Sequence, residues 1–147
     1  MAAFLLPLAL LAGAMLPVQF SVNAQLRNAV GGPVMAAAIS FVVGTLCLSL
    51  AYAVSRQPVP RWSRVSEAPW WVWIGGALGA TYVLLSIVLL PRIGAATTTA
   101  FIVAGQMLTA LVLDHFGYLH VPEHRLSVLR AVGAAFVIGG VAMIQRF

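Results

Sequence analysis

The residues of this chain that could bind a small molecule are uncharged polar side chains inside long apolar segments. Gln106 lies in the middle of a stretch without charge that runs from Arg92 to Asp114, and Thr98 and Thr99 precede it there. A carboxamide or hydroxyl group in hydrocarbon costs free energy unless it finds a hydrogen-bond partner or water. We therefore expect this segment to face other helices or a solute cavity, with Gln106, Thr98 and Thr99 as candidate solute-binding residues.

Two further amides lie near the end of the first apolar segment. Gln19 and Asn23 are four residues apart, so on a helix they share one face. They could line the same solute cavity. They could equally form an ordinary polar helix end at the membrane interface, and the sequence leaves both interpretations open.

Charged candidates lie at the ends of the apolar segments. Asp114 could couple proton movement to transport, because a carboxylate within a membrane segment usually has a function. It could instead cap a helix end or pair with Arg130 or His115, which is the stronger expectation from its place near the interface. Arg92 is a further charge partner, for example for an anionic solute.

The connection after Asp114 contains three histidines, which could suggest a metal site. His120 and His124 are separated by Pro122, so the helical spacing that suits paired ligands is not assured. We expect interfacial histidines and no metal. The sequence also lacks a Ser/His/Asp set and a phosphate-binding glycine loop, so we expect neither an enzyme nor a cofactor.

The composition determines where these residues must lie. The chain is 62% hydrophobic and 7% charged, with a mean hydropathy of +1.01, whereas soluble domains carry about 25% charged residues. The basic residues are single arginines scattered between apolar runs, which argues against nucleic-acid binding and favours a membrane protein. With a single cysteine, Cys47, the chain forms no internal disulfide.

Five apolar segments are long enough to cross a bilayer as helices. The sequence predicts an all-α integral membrane protein, a single membrane domain over 1–147, with spans at approximately 2–22, 34–54, 70–90, 94–113 and 126–144. A cleaved signal peptide is disfavoured, because the first segment has no basic region before it and four more segments follow. Ser40, Gly44 and Thr45 in the second span predict close helix packing.

An odd number of spans places the two termini on opposite sides of the membrane. One side collects five arginines (Arg56, Arg61, Arg64, Arg125 and Arg130) and the other collects three (Arg27, Arg92 and Arg146). This bias favours a cytoplasmic N-terminus, but only weakly. A weak bias permits insertion in both orientations, which would let two copies of the chain meet antiparallel.

Several stretches of the chain are similar to one known family. They are QFSVNAQL, SFVVGTL, WWVWIGGALGA, PRIGAATTTAFIVAGQ and LDHFG, and the resemblance that they carry extends over essentially the whole chain. With them the chain resembles the small YdcZ-type inner-membrane proteins of the bacterial drug/metabolite transporter superfamily. The positions that match the family's functional residues would be Asn23, Gln106 and Asp114.

The resemblance implies an architecture and a function. The chain would be half of a ten-helix inverted-repeat transporter of the bacterial inner membrane, completed by a second copy or by a paralogue of opposite topology. A solute site would lie near the midplane between the repeats. The implied function is transport of a small solute, with export the expected direction.

Two functions remain open at this point. The leading one is a secondary transporter, and because the first three spans contain no acid, neutral or anionic solutes fit better than cations. The alternative is a non-transporting accessory or lipid-handling membrane protein that assembles through its small-residue helix faces.

Overall fold

The structure is a computed structural model that describes residues 2–59 and 62–147, with side chains described from Leu5 onward except at positions 62 and 64. Arg61 therefore lies outside the described residues, and so does the side chain of Arg64. The distribution of arginines between the two membrane sides stays a prediction.

The described residues form helices and turns without a β-strand. Six α-helices, numbered α1 to α6, are Ala2–Val30, Pro33–Ser55, Trp62–Ser66, Ile74–Ile93, Ala95–Phe116 and Val128–Arg146, and two short 3-10 helices cover Trp70–Trp73 and Tyr118–His120. Five stretches of these described residues are long and apolar enough to cross a membrane, with Trp70–Trp73 and α4 forming one of them. The predicted all-α chain with five spans is confirmed.

The first helix is longer than the predicted span. Instead of ending near residue 22, α1 continues to Val30, and Gly31 ends it with a φ of +80°. No glycine or proline interrupts the chain between Pro17 and Gly31, so nothing in this stretch favours an earlier stop. Asn23 consequently lies two turns inside the helix, which weakens its interpretation as a polar helix end.

The connection between the third and fourth spans is shorter than predicted. α4 continues through Pro91 to Ile93, leaving Gly94 as the one residue between α4 and α5. Gly94 has a φ of +81°, a conformation that side chains rarely adopt. Its carbonyl oxygen accepts hydrogen bonds from both the backbone N–H and the hydroxyl group of Thr98, at 3.1 and 2.7 Å.

The chain forms two compact units, residues 1–92 and 93–147. In the first unit α1 packs on α2, and the core consists of Ala36, Ala37, Val83 and Ile87. Alanine at these contacts lets helices approach closely. The rings of Phe20 and Tyr82 pack edge to face, with 5.6 Å between their centroids.

In the second unit α5 packs on α6. Buried alanines again serve the contact, since Ala104 on α5 and Ala134 on α6 are both buried. Large apolar side chains outside these cores are mostly exposed, as Leu10 and Leu129 illustrate at 76% and 83%. Such surfaces suit hydrocarbon, the medium that the span composition requires.

Candidate solute-binding site

A groove runs between α1 and α2 in the first unit. Its volume is about 630 Å³, and the residues that line it are mostly apolar: Leu11, Ala14, Met15, Val18, Gln19, Val22, Asn23, Leu26, Ile39, Ser40 and Val43. The polar members Gln19 and Asn23 lie one helical turn apart on α1, and Ser40 is contributed by α2. The 3.6-residue repeat of the helix thus brings both predicted amides of α1 to one wall of the groove.

Asn23 is the most unusual residue of this groove. Its side chain is buried, with 4% of the residue exposed, and its Nδ2 atom has no hydrogen-bond partner. A buried donor without a partner costs about 1–3 kcal/mol, so native structures rarely retain one without a reason. Gln19, in contrast, is exposed, and Ser40 is partly buried.

A second cavity of about 200 Å³ shares Gln19 and Ser40 with the groove. It extends the polar wall along α2 to Thr45, whose hydroxyl group donates to the Phe41 carbonyl at 2.8 Å. Sequence analysis interpreted Ser40 and Thr45 as packing residues. To distinguish helix packing from lining a cavity, one must know which helix faces α2. No residue pattern in the chain specifies that contact.

The other three predicted solute-binding residues lie on α5 in the second unit. Thr98 is 1% exposed, and its hydroxyl group donates a hydrogen bond to the Gly94 carbonyl. Thr99 has a buried hydroxyl oxygen without a hydrogen-bond partner, whereas Gln106 is exposed on the helix surface. The predicted set therefore divides into Gln19 and Asn23 in one groove and three residues of different environments on α5.

A group of polar contacts joins the end of α5 to the start of α6, and we call its members Asp114, His115, His124 and Arg130 the α5–α6 clamp. The Arg130 guanidinium donates from Nη2 to Asp114 Oδ2 and from Nη1 to the His124 carbonyl, the latter at 2.6 Å. The His124 N–H donates to the Asp114 carbonyl at 2.8 Å. The Leu126 N–H donates to His115 Nδ1 at 3.0 Å.

The clamp assigns a structural partner to each charged candidate at this end of α5. Asp114 and Arg130 form an ion pair whose side chains are 25% and 34% exposed, so water only partly screens it. His115 accepts a hydrogen bond from the backbone N–H of Leu126, which fixes the end of the connection, two residues before α6 begins. The remaining charge candidate, Arg92, is exposed near the end of α4 and belongs to the other unit.

Two of the three histidines predicted at this connection, His115 and His124, make side-chain contacts with the backbone. His115 Nδ1 accepts from Leu126, and His124 Nδ1 lies 3.0 Å from the Pro122 carbonyl oxygen. Across residues 2–59 and 62–147, no three His, Cys, Asp or Glu side chains come close enough together to hold a metal ion.

Comparison with known proteins finds one family that matches this chain. The profile of the family described as "Putative inner membrane exporter, YdcZ" matches residues 4–143, nearly the full chain. The Inner membrane protein YdcZ of Escherichia coli (strain K12) is 40% identical over 79 residues, which cover 50% of this chain and 53% of that protein. The match thus spans about half the length of this curated relative. No solved structure matches the chain.

Proposed function

Because this chain belongs to the YdcZ family of inner-membrane transport proteins, we propose that it exports a small solute as an antiparallel homodimer. The two copies would enclose a cavity near the bilayer midplane. The five spans and the inner-membrane relative make the chain an inner-membrane protein.

The observation that carries the proposal is the exposure of Gln106. This residue is close to the centre of α5, which runs from Ala95 to Phe116 and is long enough to cross the bilayer. An exposed carboxamide at that depth would face hydrocarbon, where its donors and acceptors have no partner. Polar side chains in spans almost always face a protein neighbour or a water-filled cavity. A second copy of the chain, packed so that a path for the solute remains beside Gln106, supplies both the protein neighbour and the water-filled cavity.

The neighbours of Gln106 suit such a contact. Gly105 precedes it and Thr109 follows it by three residues, and both are exposed. A side chain added at Gly105 would meet nothing within 4 Å in the described part of the chain, so this face is open. Small residues around a central polar group are typical of surfaces where membrane helices meet.

The odd number of spans supports the antiparallel arrangement, because an inverted copy then restores an inverted repeat. A five-span chain and its inverted copy are related by a two-fold axis in the membrane plane, the symmetry of many transporters built from inverted repeats. Such transporters bind their solutes near the midplane at the repeat interface. The depth of Gln106 within α5 agrees with that position.

The Asp114–Arg130 pair bears on how transport would be driven. A coupling carboxylate must release and bind protons during the cycle, whereas Asp114 is held by a guanidinium within the clamp. This contact supports the structural alternative for Asp114. Its role as a proton-coupling residue stays a prediction, tested below together with the clamp.

Transport is tested with inside-out membrane vesicles incubated with an extract of small metabolites, followed by mass spectrometry of the retained solutes. Vesicles with the wild-type chain should accumulate at least one solute that control vesicles do not, and Gln106→Leu should abolish this accumulation. Val103→Leu, an exposed apolar change on the same helix, should leave it intact. If no solute accumulates in wild-type vesicles, or if Gln106→Leu transports normally, the transport role of Gln106 is refuted and the accessory function gains support.

Orientation is tested with single cysteines at Ser55 and Gln145 in a Cys47→Ala background. An impermeant thiol reagent applied to intact cells should label each site in part of the population, because an antiparallel homodimer requires both orientations. All-or-none labelling at each site would refute the antiparallel homodimer and point to a partner of opposite topology.

A further inference from the structure

We propose that the groove between α1 and α2 binds an uncharged amphipathic solute whose hydrogen-bond acceptor is held by the Asn23 amide. The groove lies within the first unit, so one copy of the chain carries a complete binding site. The inference deepens the proposed transport function, from which it takes the premise that the chain handles a small solute.

The size and lining of the groove define the class of solute. Its volume of about 630 Å³ falls within the range of about 300–1,000 Å³ that small-molecule sites usually show. Eight of its eleven lining residues are apolar, and none of these described residues is charged. An ion would leave water without gaining a counter-charge there, which is strongly unfavourable in an apolar surrounding. The solute must therefore be uncharged and mainly apolar.

Asn23 supplies the polar recognition. Its Nδ2 donor is buried and lacks a partner among the described residues, although the side chain lines the groove. Rotation about χ2, a soft torsion in asparagine, turns this donor towards a molecule in the groove. A carbonyl or ether oxygen on the solute would then supply the missing acceptor. Sites that hold a buried polar group in this way discriminate strongly against analogues that cannot pair with it.

The polar wall, which is exposed at Gln19, explains how such a solute could enter. Gln19 and Ser40 lie beside Asn23 and also line the smaller cavity of about 200 Å³. A solute with one polar group could exchange hydrogen bonds along this wall while its apolar part stays among aliphatic side chains. The buried donor of Asn23 is the best-desolvated group on the wall, so it should form the strongest hydrogen bond.

Benzophenone is a suitable probe for this site. It is uncharged, mainly aromatic, carries one carbonyl acceptor, and on irradiation inserts into nearby C–H bonds, with methionine side chains reacting readily. Met15 lines the groove, while Met143 is an equally exposed methionine on α6, at 66% against 63%. The ratio of labelling at Met15 to labelling at Met143, measured by mass spectrometry in proteoliposomes, separates binding in the groove from partition into lipid.

We expect this ratio to exceed one in the wild type and to fall towards one in Asn23→Leu, because the loss of one desolvated hydrogen bond weakens binding in the groove by about tenfold. Asn28→Leu, an exposed change on the same helix outside the groove lining, should leave the ratio unchanged. Equal labelling of both methionines in the wild type, or an unchanged ratio in Asn23→Leu, would overturn the proposal.

Competition in the wild type tests the same hydrogen bond without a mutation. 6-Undecanone should displace benzophenone from Met15 at about tenfold lower concentration than undecane, which has the same chain without the carbonyl group. Charged 4-benzoylbenzoate should not label Met15 above Met143. Equal competition by ketone and alkane refutes the role of the acceptor, and preferred labelling by the anion refutes the uncharged class.

The two proposals fail separately. Gln106→Leu should abolish transport but preserve groove labelling, since Gln106 does not line the groove. Wild-type transport together with equal labelling of Met15 and Met143 would overturn the groove proposal alone. Groove labelling without any transported solute would overturn the proposed function alone.

Discussion

The replacement Arg130→Met should loosen the junction between α5 and α6. The Arg130 side chain donates to the Asp114 carboxylate and, at 2.6 Å, to the His124 carbonyl. Methionine keeps an aliphatic stem of similar length, so the change removes the hydrogen bonds and preserves most of the packing. The structure therefore predicts that the loss of stability at this junction comes from the clamp contacts themselves.

The magnitude follows from the exposure of the pair. A hydrogen bond to a charged group contributes about 1.5–3 kcal/mol when well shielded, and exposed ion pairs contribute about 0–1 kcal/mol. With 34% and 25% of the two side chains exposed, the ion pair lies between these cases. We expect about 1 kcal/mol from each contact, hence about 2 kcal/mol for Arg130→Met, or roughly a 30-fold increase in the open fraction of the junction.

The assay uses a cysteine as a local reporter. Ala104 on α5 is buried, so Ala104→Cys in a Cys47→Ala background should react with a maleimide mainly when α5 and α6 separate. The alkylation rate at low reagent concentration follows the open fraction, as hydrogen exchange does. Arg130→Met should raise this rate by roughly 30-fold.

A matched control is available in the same connection. Arg125 pairs with Glu123 at 2.9 Å, but the two side chains are 84% and 52% exposed. Arg125→Met should therefore leave the alkylation rate nearly unchanged. Equal rates in Arg125→Met and Arg130→Met would refute the clamp.

If Asp114→Asn left the alkylation rate at the wild-type value yet removed the dependence of transport on a proton gradient, Asp114 would be a coupling residue and our structural assignment would be wrong.

Two further predictions concern packing and backbone, both measured as the thermal midpoint of the detergent-solubilised protein. Ala36→Leu should destabilise the first unit by about 1–3 kcal/mol, because Ala36 is fully buried in its core, whereas Ala38→Leu, at an exposed position of the same helix, should have little effect. Gly94→Ala should lower the free energy of unfolding by about 1–2 kcal/mol, because side chains rarely adopt a φ of +81°, although an added Cβ meets nothing within 4 Å. Gly139 is equally open but lies within a helix with ordinary φ, so Gly139→Ala should be neutral or slightly stabilising.

The number and type of the spans could be predicted from the sequence because they depend on composition. Runs of about twenty residues without charge admit few structures in a bilayer other than a helix, since every backbone group must be satisfied internally. The end of α1 could not be placed in the same way. Its last turns carry polar residues such as Asn23 and Arg27, which resemble an interface, and the backbone signal that ends the helix is Gly31.

The candidate groove was predictable in part. The four-residue spacing of Gln19 and Asn23 already predicts that they share a face, and the structure places both on one wall. Ser40 was not recognised, because a small residue on a span suits helix packing and a solute cavity equally well. The choice between these roles depends on which helix α2 faces, and that is a property of tertiary packing.

Gln106 and Asn23 are both amides in membrane spans that need hydrogen-bond partners, but they lie in opposite environments. Gln106 is a mid-span amide that the chain leaves exposed, and Asn23 is an amide that the chain buries without a partner for Nδ2. In water an exposed apolar patch would indicate the missing contact, but in a bilayer lipid covers such patches, so the informative residues are the polar ones. An exposed amide can be satisfied by a large surface such as a second copy of the chain. A buried amide beside a groove has room only for a small molecule, and this difference in required size is why we assign Gln106 to the dimer cavity and Asn23 to the solute.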